Sequence, residues 1–238
     1  PIDHHRRVST MQALLASGQI GLDALLFTDL TDVRWLTGFT GSNGWVVVRS
    51  GATTLGTDTR YGDRAEAETH GSGVEIVAIQ NRAALQDSMI NAAGSGEVGL
   101  DGRSVSQAVW SRLAVDLKLA SVDSLVATAR ETKDDAEIER MEAAAGAADA
   151  ALAEVEPMLF GAIDEPVTEA DVRNELEYRM RRHGADDRSY DTIVASGPEH
   201  AARPHHEVGD RTIVAGDTIV IDVGALVDGY HSDMTRSY

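Results

Sequence analysis

Apolar residues follow two alternating spacings through the first 120 positions of the chain. Short runs at Asp23–Phe27, Trp45–Arg49, Thr53–Asp58, Val74–Ile79 and Val98–Leu100 are bounded by Gly, Asp and Asn, and read as strands. Between them, apolar positions fall three and four apart over Val8–Ala16, Thr31–Leu36, Arg60–His70, Ala83–Ala92 and Ser104–Lys118, which predicts helices. Ser9 is a candidate cap for the first helix, Gly38 stops the second, and Ser121–Val126 predicts a last short strand. Strands alternating with helices predict an α/β layered domain on a mixed sheet.

The pattern changes near Thr128. Asp134–Glu156 reads as a long, acidic, alanine-rich helix stopped by Pro157. Thr168-Glu-Ala-Asp resembles a capping box and opens a helix to about Arg182, with His183-Gly184 at its end. A strand at Asp191–Ser196, a loop from Gly197 to His206 and a strand at Thr218–Val223 follow. The expected organisation is two domains, 1–128 and 129–238, with the break between 125 and 133.

Beyond Thr218 the pattern becomes chemical. The apolar strand carries Asp222, Asp228-Gly229 are turn formers, and a second extended run, Tyr230–Thr235, carries Asp233. Two extended runs around Asp-Gly predict a β-hairpin. A loop over Leu226–Gly229 sets the two aspartates directly opposite. A turn on Asp228-Gly229 makes them diagonal neighbours on one face, and only an odd-membered loop separates them. Like charges facing at a Cβ spacing of about 5 Å destabilise a sheet unless a cation lies between them. Hard divalent ions suit such a carboxylate pair. The plainer alternative is one aspartate facing solvent beside a turn. Against it, Asp222 ends a strand apolar enough to be buried, and a buried carboxylate must be paired, protonated or metal-bound.

Composition narrows the classes. The 238 residues carry a net charge of −18, which argues against nucleic acid as partner. No cysteine is present, so disulfides and thiolate zinc are excluded. No apolar run approaches the roughly 20 residues that span a bilayer. No signal peptide precedes His4-His5-Arg6-Arg7, and a cytoplasmic location is expected.

Other candidates are weaker. His200, His205 and His206 crowd one loop, where Pro204 restricts the backbone into His205. Phe39-Thr-Gly-Ser-Asn-Gly44 has no lysine and opens no helix, so it reads as a tight βα connection and not as a phosphate cradle. Glu137, Glu139, Glu142, Glu154 and Glu156 read as a solvated helix face, and Trp35, Trp45 and Trp110 as core or interface packing.

Taken in order, several segments resemble the prolidase, Xaa-Pro aminopeptidase and creatinase family. They are Trp35-Leu-Thr-Gly-Phe-Thr-Gly-Ser-Asn-Gly44, Thr57-Asp-Thr-Arg-Tyr61, Arg130-Glu-Thr-Lys-Asp with Glu137-Ile, Ile193-Val-Ala-Ser-Gly-Pro198, Pro204-His-His206, Ile221-Asp-Val-Gly-Ala225 and Gly229-Tyr-His-Ser-Asp-Met-Thr-Arg236. The resemblance implies a creatinase-like α/β N-terminal domain followed by the first half of an α+β pita-bread domain. It also implies hydrolysis of peptide bonds preceding proline, with the Xaa-Pro peptidase branch the better match. Two divalent metal ions, most simply Mn²⁺ with Co²⁺ or Zn²⁺ as alternatives, would be held by two aspartates, one histidine and two glutamates. The aspartates map to Asp222 and Asp233. His205, with His206 as the neighbouring alternative, maps to the histidine that steadies substrate and the tetrahedral intermediate, and Thr235 to a partner behind the metal ligands. Trp35, Phe39 and Arg60 are candidate substrate or dimer contacts in an expected homodimer.

The resemblance places the remaining histidine and both glutamates downstream of Tyr238. The chain is therefore expected to be an amino-terminal portion, inactive alone. Glu199 replaces a common asparagine, and its loop is one residue longer than the family pattern. Two rivals remain: a metal-free creatinase-like amidinohydrolase, disfavoured by both aspartates, and a non-catalytic pita-bread binding module like that of histone-chaperone relatives.

Overall fold

The computed structural model describes residues 1–122, 125–161, 166–203 and 205–238. The chain forms two compact units, Pro1–Thr132 and Lys133–Tyr238.

In the first unit the order is α1 (His4–Ala16), β1 (Ala24–Phe27), α2 (Leu30–Thr37), β2 (Gly44–Arg49), β3 (Ala52–Thr57), a 3₁₀ turn (Thr59–Tyr61) leading into α3 (Gly62–Glu68), β4 (Glu75–Ala78), α4 (Arg82–Ala93), β5 (Glu97–Leu100), α5 (Gln107–Leu113), β6 (Lys118–Ser121) and α6 (Leu125–Glu131). The strands form one six-stranded sheet in the order β4-β3-β2-β1-β5-β6. β1–β2 and β2–β3 are antiparallel and the other pairs parallel, so the sheet is mixed. β1 is buried along its whole length. Its period of two sends Leu25 and Phe27 into one core, with Val33, Leu36 and Val46, and Ala24 and Leu26 into the other, with Leu85, Met89 and Val98.

Four expectations fail in this unit. α1 starts before Val8 because Asp3, not Ser9, accepts from the Arg6 N–H as N-cap. The helix expected over Ser104–Lys118 is only α5, since Lys118–Ser121 is recruited to the open edge of β5 in parallel register, Val98 opposite Leu119. Of the strand expected at Ser121–Val126, residues 123 and 124 lie outside the described residues, and Leu125 opens α6, whose Val126 is buried in the core. The Phe39–Gly44 segment joins α2 to β2, an αβ connection and not a βα one.

The second unit runs α7 (Asp135–Gly161), α8 (Glu169–Arg182), β7 (Asp187–Arg188), β8 (Ile193–Ser196), α9 (Gly197–His200), β9 (Ile219–Val223), β10 (Ala225–Val227), β11 (Tyr230–His231) and β12 (Met234–Ser237). Two three-stranded antiparallel sheets result, β11-β10-β7 and β12-β9-β8. Ala148, Ala151, Leu152 and Val155 of α7 and Val172, Leu176 and Met180 of α8 pack with Ile219, Ile221 and Val223 of β9. The capping box is present, Thr168 Oγ1 accepting from the Asp171 N–H and the Asp171 carboxylate accepting from the Thr168 N–H.

Pro157 does not stop α7, which continues to Gly161. A proline removes one helical donor, but Leu159 beyond it is buried in the core, and that packing carries the helix through. Glu137 is also not on a solvated face. It is 3% exposed and accepts from the Tyr230 hydroxyl at 2.9 Å and the Asp134 N–H at 2.9 Å. Among the described residues no helix is long and apolar enough to cross a membrane.

Candidate metal centre

Asp228 and Gly229 both have positive φ, 47° and 82°, which is the twist a two-residue hairpin turn needs. The turn sets Val227 opposite Tyr230 and Leu226 opposite His231. The same register continues below it, with Val223 opposite Met234 and Thr235 directly opposite Asp222. One bent hairpin thus runs through both small sheets and changes sheet at Gly224. A Cβ on Gly224 would lie 2.1 Å from the Ser232 carbonyl oxygen, so only glycine allows the crossing this close. Ser189 pins the same point. Its N–H donates to the Gly224 carbonyl at 2.8 Å, and its Oγ lies 2.8 Å from the carbonyls of both Ala225 and Ser232.

This register makes Asp222 and Asp233 diagonal neighbours on one face, the second of the arrangements open from the sequence. The two carboxylates converge on one atom. The Tyr190 hydroxyl lies 2.8 Å from Asp222 Oδ1 and 2.9 Å from Asp233 Oδ1. It has one proton to donate, so the two carboxylates share it. Burial, and then the hydrogen bonds to the two aspartates, push the Tyr190 phenol far above its ordinary pKa, so it stays protonated. The expected burial of Asp222 is not found. β9 alternates, with Ile219, Ile221 and Val223 buried and Asp222 half-buried on the opposite face. The aspartates are gathered by hairpin geometry and a shared phenol, not by immersion in the core.

The histidine loop divides. His206 is buried, and its Nε2 lies 2.8 Å from Glu169 Oε2. His200 Nδ1 lies 2.9 Å from Glu169 Oε1. The two rings stack with centroids 4.1 Å apart. Glu169, in the first turn of α8, is fully buried, and its Oε1 also accepts from the Ser196 N–H at 2.7 Å and the Ser196 hydroxyl at 2.8 Å. Burial raises its pKa, but the hydrogen bonds from His206, His200 and Ser196 outweigh this and leave it lowered, hence ionised. His205 is exposed. Pro204, which was to fix its entry, lies outside the described residues.

Comparison with known proteins places these elements. Residues 7–132 match the creatinase/prolidase N-terminal domain, and residues 139–238 match metallopeptidase family M24. The chain belongs to the creatinase/prolidase family. It is 36% identical over 228 residues to the uncharacterized peptidase YqhT of Bacillus subtilis, covering 92% of this chain and 62% of YqhT. The Xaa-Pro dipeptidase from Bacillus anthracis superposes with a TM-score of 0.84 at 29% identity, covering 98% of this chain and 64% of that one. The X-Pro aminopeptidase from Thermotoga maritima MSB8 gives 0.81 at 29%, covering 97% and 64%. The chain thus spans slightly under two thirds of the length of these relatives. The fold is the creatinase N-terminal domain followed by part of the pita-bread domain.

Divalent metal belongs to the chemistry of M24 proteins, and the hairpin fits it. Asp222, Asp233 and Tyr190 bring only oxygen atoms together, and two carboxylates suit a hard ion. Thr235 faces Asp222 directly across the ladder.

The N-terminal candidates have other work. Phe39 is 1% exposed, and its ring fills the space that a Cβ on Gly41 or Gly44 would take, at 2.1 and 2.9 Å. The glycines of this segment thus make room for Phe39 in the core of the N-terminal unit. Trp35 packs partly buried under Arg7, whose guanidinium lies 4.5 Å from the ring centroid. Arg60 pairs with Asp58 at 2.9 Å while its own side chain is largely exposed. Sequence reasoning missed Tyr190 and Glu169. An aromatic three residues before a strand, and an acid in a helix's first turn, carry no local signal of what they reach across the fold.

Proposed function

We propose that this chain provides the aspartate side of a dinuclear metal centre that hydrolyses peptide bonds preceding proline. The observation that carries the reading is the convergence of Asp222 and Asp233, from two strands of one hairpin, on a single hydroxyl at 2.8 and 2.9 Å. Two carboxylates gathered in this way would hold a hard divalent ion. The names of the solved relatives support the substrate class, and they divide between aminopeptidase and dipeptidase, so product specificity stays open.

In this reading the two carboxylates bind and space Mn²⁺ ions, with Co²⁺ or Zn²⁺ as alternatives. When bound, the metals supply a hydroxide at neutral pH and polarise the scissile carbonyl. Thr235 steadies Asp222 from across the ladder. His205, exposed on its loop, donates a hydrogen bond to the oxygen that gains charge as the carbonyl becomes tetrahedral. The N-terminal unit contributes to a homodimer through the Trp35–Gly44 segment, which sedimentation at working concentration tests: a monomer removes this part.

Two aspartates do not hold two metals firmly enough to depress the pKa of bound water. Purified 1–238 in Mn²⁺ is therefore expected to release little or no proline from an Xaa-Pro dipeptide or tripeptide. The same chain joined to the carboxy-terminal segment of YqhT is expected to turn over where that segment brings the histidine and two glutamates that the family resemblance calls for, and Asp222→Asn or Asp233→Asn to abolish it. Robust metal-dependent turnover by 1–238 alone would refute the ligand count. A folded, metal-loaded chimera without turnover would favour a non-catalytic binding module.

A further inference from the structure

Glu169 carries its charge in the interior, held by hydrogen bonds and by no direct guanidinium or ammonium ion pair among the described residues. A fully buried carboxylate is costly unless neutralised. The guanidinium of Arg211 touches Ser196 Oγ at 2.5 Å, one bond removed from Glu169. Arg211 is already committed to Asp217 by two bonds of 2.6 and 2.9 Å. Besides the neutral Ser196 N–H and hydroxyl on Oε1, the groups against the two Glu169 oxygens are a pair of imidazoles, His200 on Oε1 and His206 on Oε2.

We propose that Glu169, His200 and His206 form a mononuclear site for a borderline divalent cation of the Zn²⁺ or Co²⁺ class, separate from the aspartate hairpin. The three ligand atoms, Glu169 O, His200 Nδ1 and His206 Nε2, all lie within 4.8 Å of one another. Two imidazole nitrogens with one carboxylate oxygen are a zinc-type donor set, unlike the all-oxygen set of the hairpin. Zn–N and Zn–O bonds of 2.0–2.1 Å imply a tetrahedral edge of about 3.3 Å. The present N···O spacings of 2.8 and 2.9 Å therefore open by roughly 0.5 Å to admit an ion, a small movement for two side chains on one loop. The outer support is in place, because the Ser196 N–H and hydroxyl both hold Glu169 Oε1. Each imidazole binds through a lone pair, so binding leaves both rings neutral, and any proton they carried at Nδ1 of His200 or Nε2 of His206 goes to solvent. Three protein ligands leave a fourth position for water.

The site is independent of the hairpin by geometry. Ser196 stands opposite Ile219, on the face of β9 that carries Ile221 and Val223, whereas Asp222 alternates to the other face. An ion here ties the loop bearing His200 and His206 to the start of α8. It thereby sets the path of exposed His205 between them.

The test uses the 1–238 chain carrying Asp222→Asn and Asp233→Asn, which silences the hairpin. Equilibrium dialysis with Co²⁺ is expected to show one bound equivalent, with a visible d–d spectrum that Zn²⁺ abolishes by competition. His200→Gln, His206→Gln or Glu169→Gln, each with unchanged far-UV circular dichroism, is expected to weaken binding at least tenfold. If buried His206→Gln unfolds the chain, partly exposed His200→Gln carries the comparison. Imidazole ¹⁵N shifts of the unsubstituted chain give a second readout, those of His200 and His206 moving with Zn²⁺. No bound Co²⁺, binding indifferent to all three substitutions, or unmoved ring shifts would overturn the proposal and leave the two histidines as hydrogen-bond partners of Glu169 alone.

Discussion

One phenol holds two like charges together in this protein, and that makes Tyr190 the first residue to change. Tyr190→Phe keeps the ring and removes the proton shared by Asp222 and Asp233. Hydrogen bonds to charged groups contribute about 1.5–3 kcal/mol, and partial exposure puts this one at the lower end. The metal-free chain is expected to lose about 1–2 kcal/mol in urea unfolding, with the m-value unchanged. A variant as stable as the parent would show that the two carboxylates do not depend on the shared hydroxyl. Asp217 gives a prediction in pH. The hydrogen bond from Arg211 is the largest influence and holds its carboxyl below the ordinary value; burial, the next largest, opposes it, and the Val214 N–H and the charge of Arg211 add to the lowering. The unfolded chain therefore binds the proton more tightly. The stabilisation is complete above the unfolded value near pH 4 and is lost as pH falls through the lowered folded value. Asp217→Asn is expected to lower the urea midpoint at pH 6, and the gap from the parent should close on acidification below about pH 4. A gap that persists at pH 2 would assign the effect to packing.

The elements that were legible in the sequence were those whose signal is local. Asp228-Gly229 stated the turn outright, and the turn fixed which of the two aspartate arrangements holds. Thr168 and Asp171 stated the start of α8. What stayed hidden was decided by distant partners. Lys118–Ser121 became a strand because β5 had an open edge, and α7 ran through Pro157 because Leu159 had a core to enter. Alternation alone also misjudged Asp222, since an apolar run of this length serves equally for a strand buried on one face or on two. The glycine at the sheet change is the element whose local chemistry the site depends on most. Gly224→Ala places a methyl 2.1 Å from the Ser232 carbonyl and 2.9 Å from Ser189 Cβ. The hairpin must shift, at a cost of roughly 1–3 kcal/mol for an overpacked site. Because Asp222 and Asp233 lie on either side of this crossing, Mn²⁺ affinity at the hairpin is expected to fall together with stability. Unchanged Mn²⁺ titration in a destabilised variant would separate the crossing from the carboxylate geometry.

At the scale of the whole molecule, each compact unit draws its core from its own residues. The clusters around Leu25, Leu55 and Val98 use residues up to Ala129, and the cluster around Leu176 and Ile221 begins at Ala147. Leu55 and Leu176 are both fully buried. Truncating a buried leucine to alanine costs about 2–5 kcal/mol, through lost transfer energy and the cavity left behind. If the units are thermodynamic domains, Leu55→Ala lowers one unfolding transition and Leu176→Ala the other. The probes are to hand, since Trp35, Trp45 and Trp110 all lie in the first unit and the second contains no tryptophan. Tryptophan fluorescence is therefore expected to follow the Leu55→Ala shift and to ignore Leu176→Ala, while far-UV circular dichroism, dominated in the second unit by α7 and α8, registers both. Fluorescence that moves equally with either substitution would mean that 1–132 and 133–238 unfold as one cooperative body, and the hairpin's stability could then no longer be tuned apart from the N-terminal sheet.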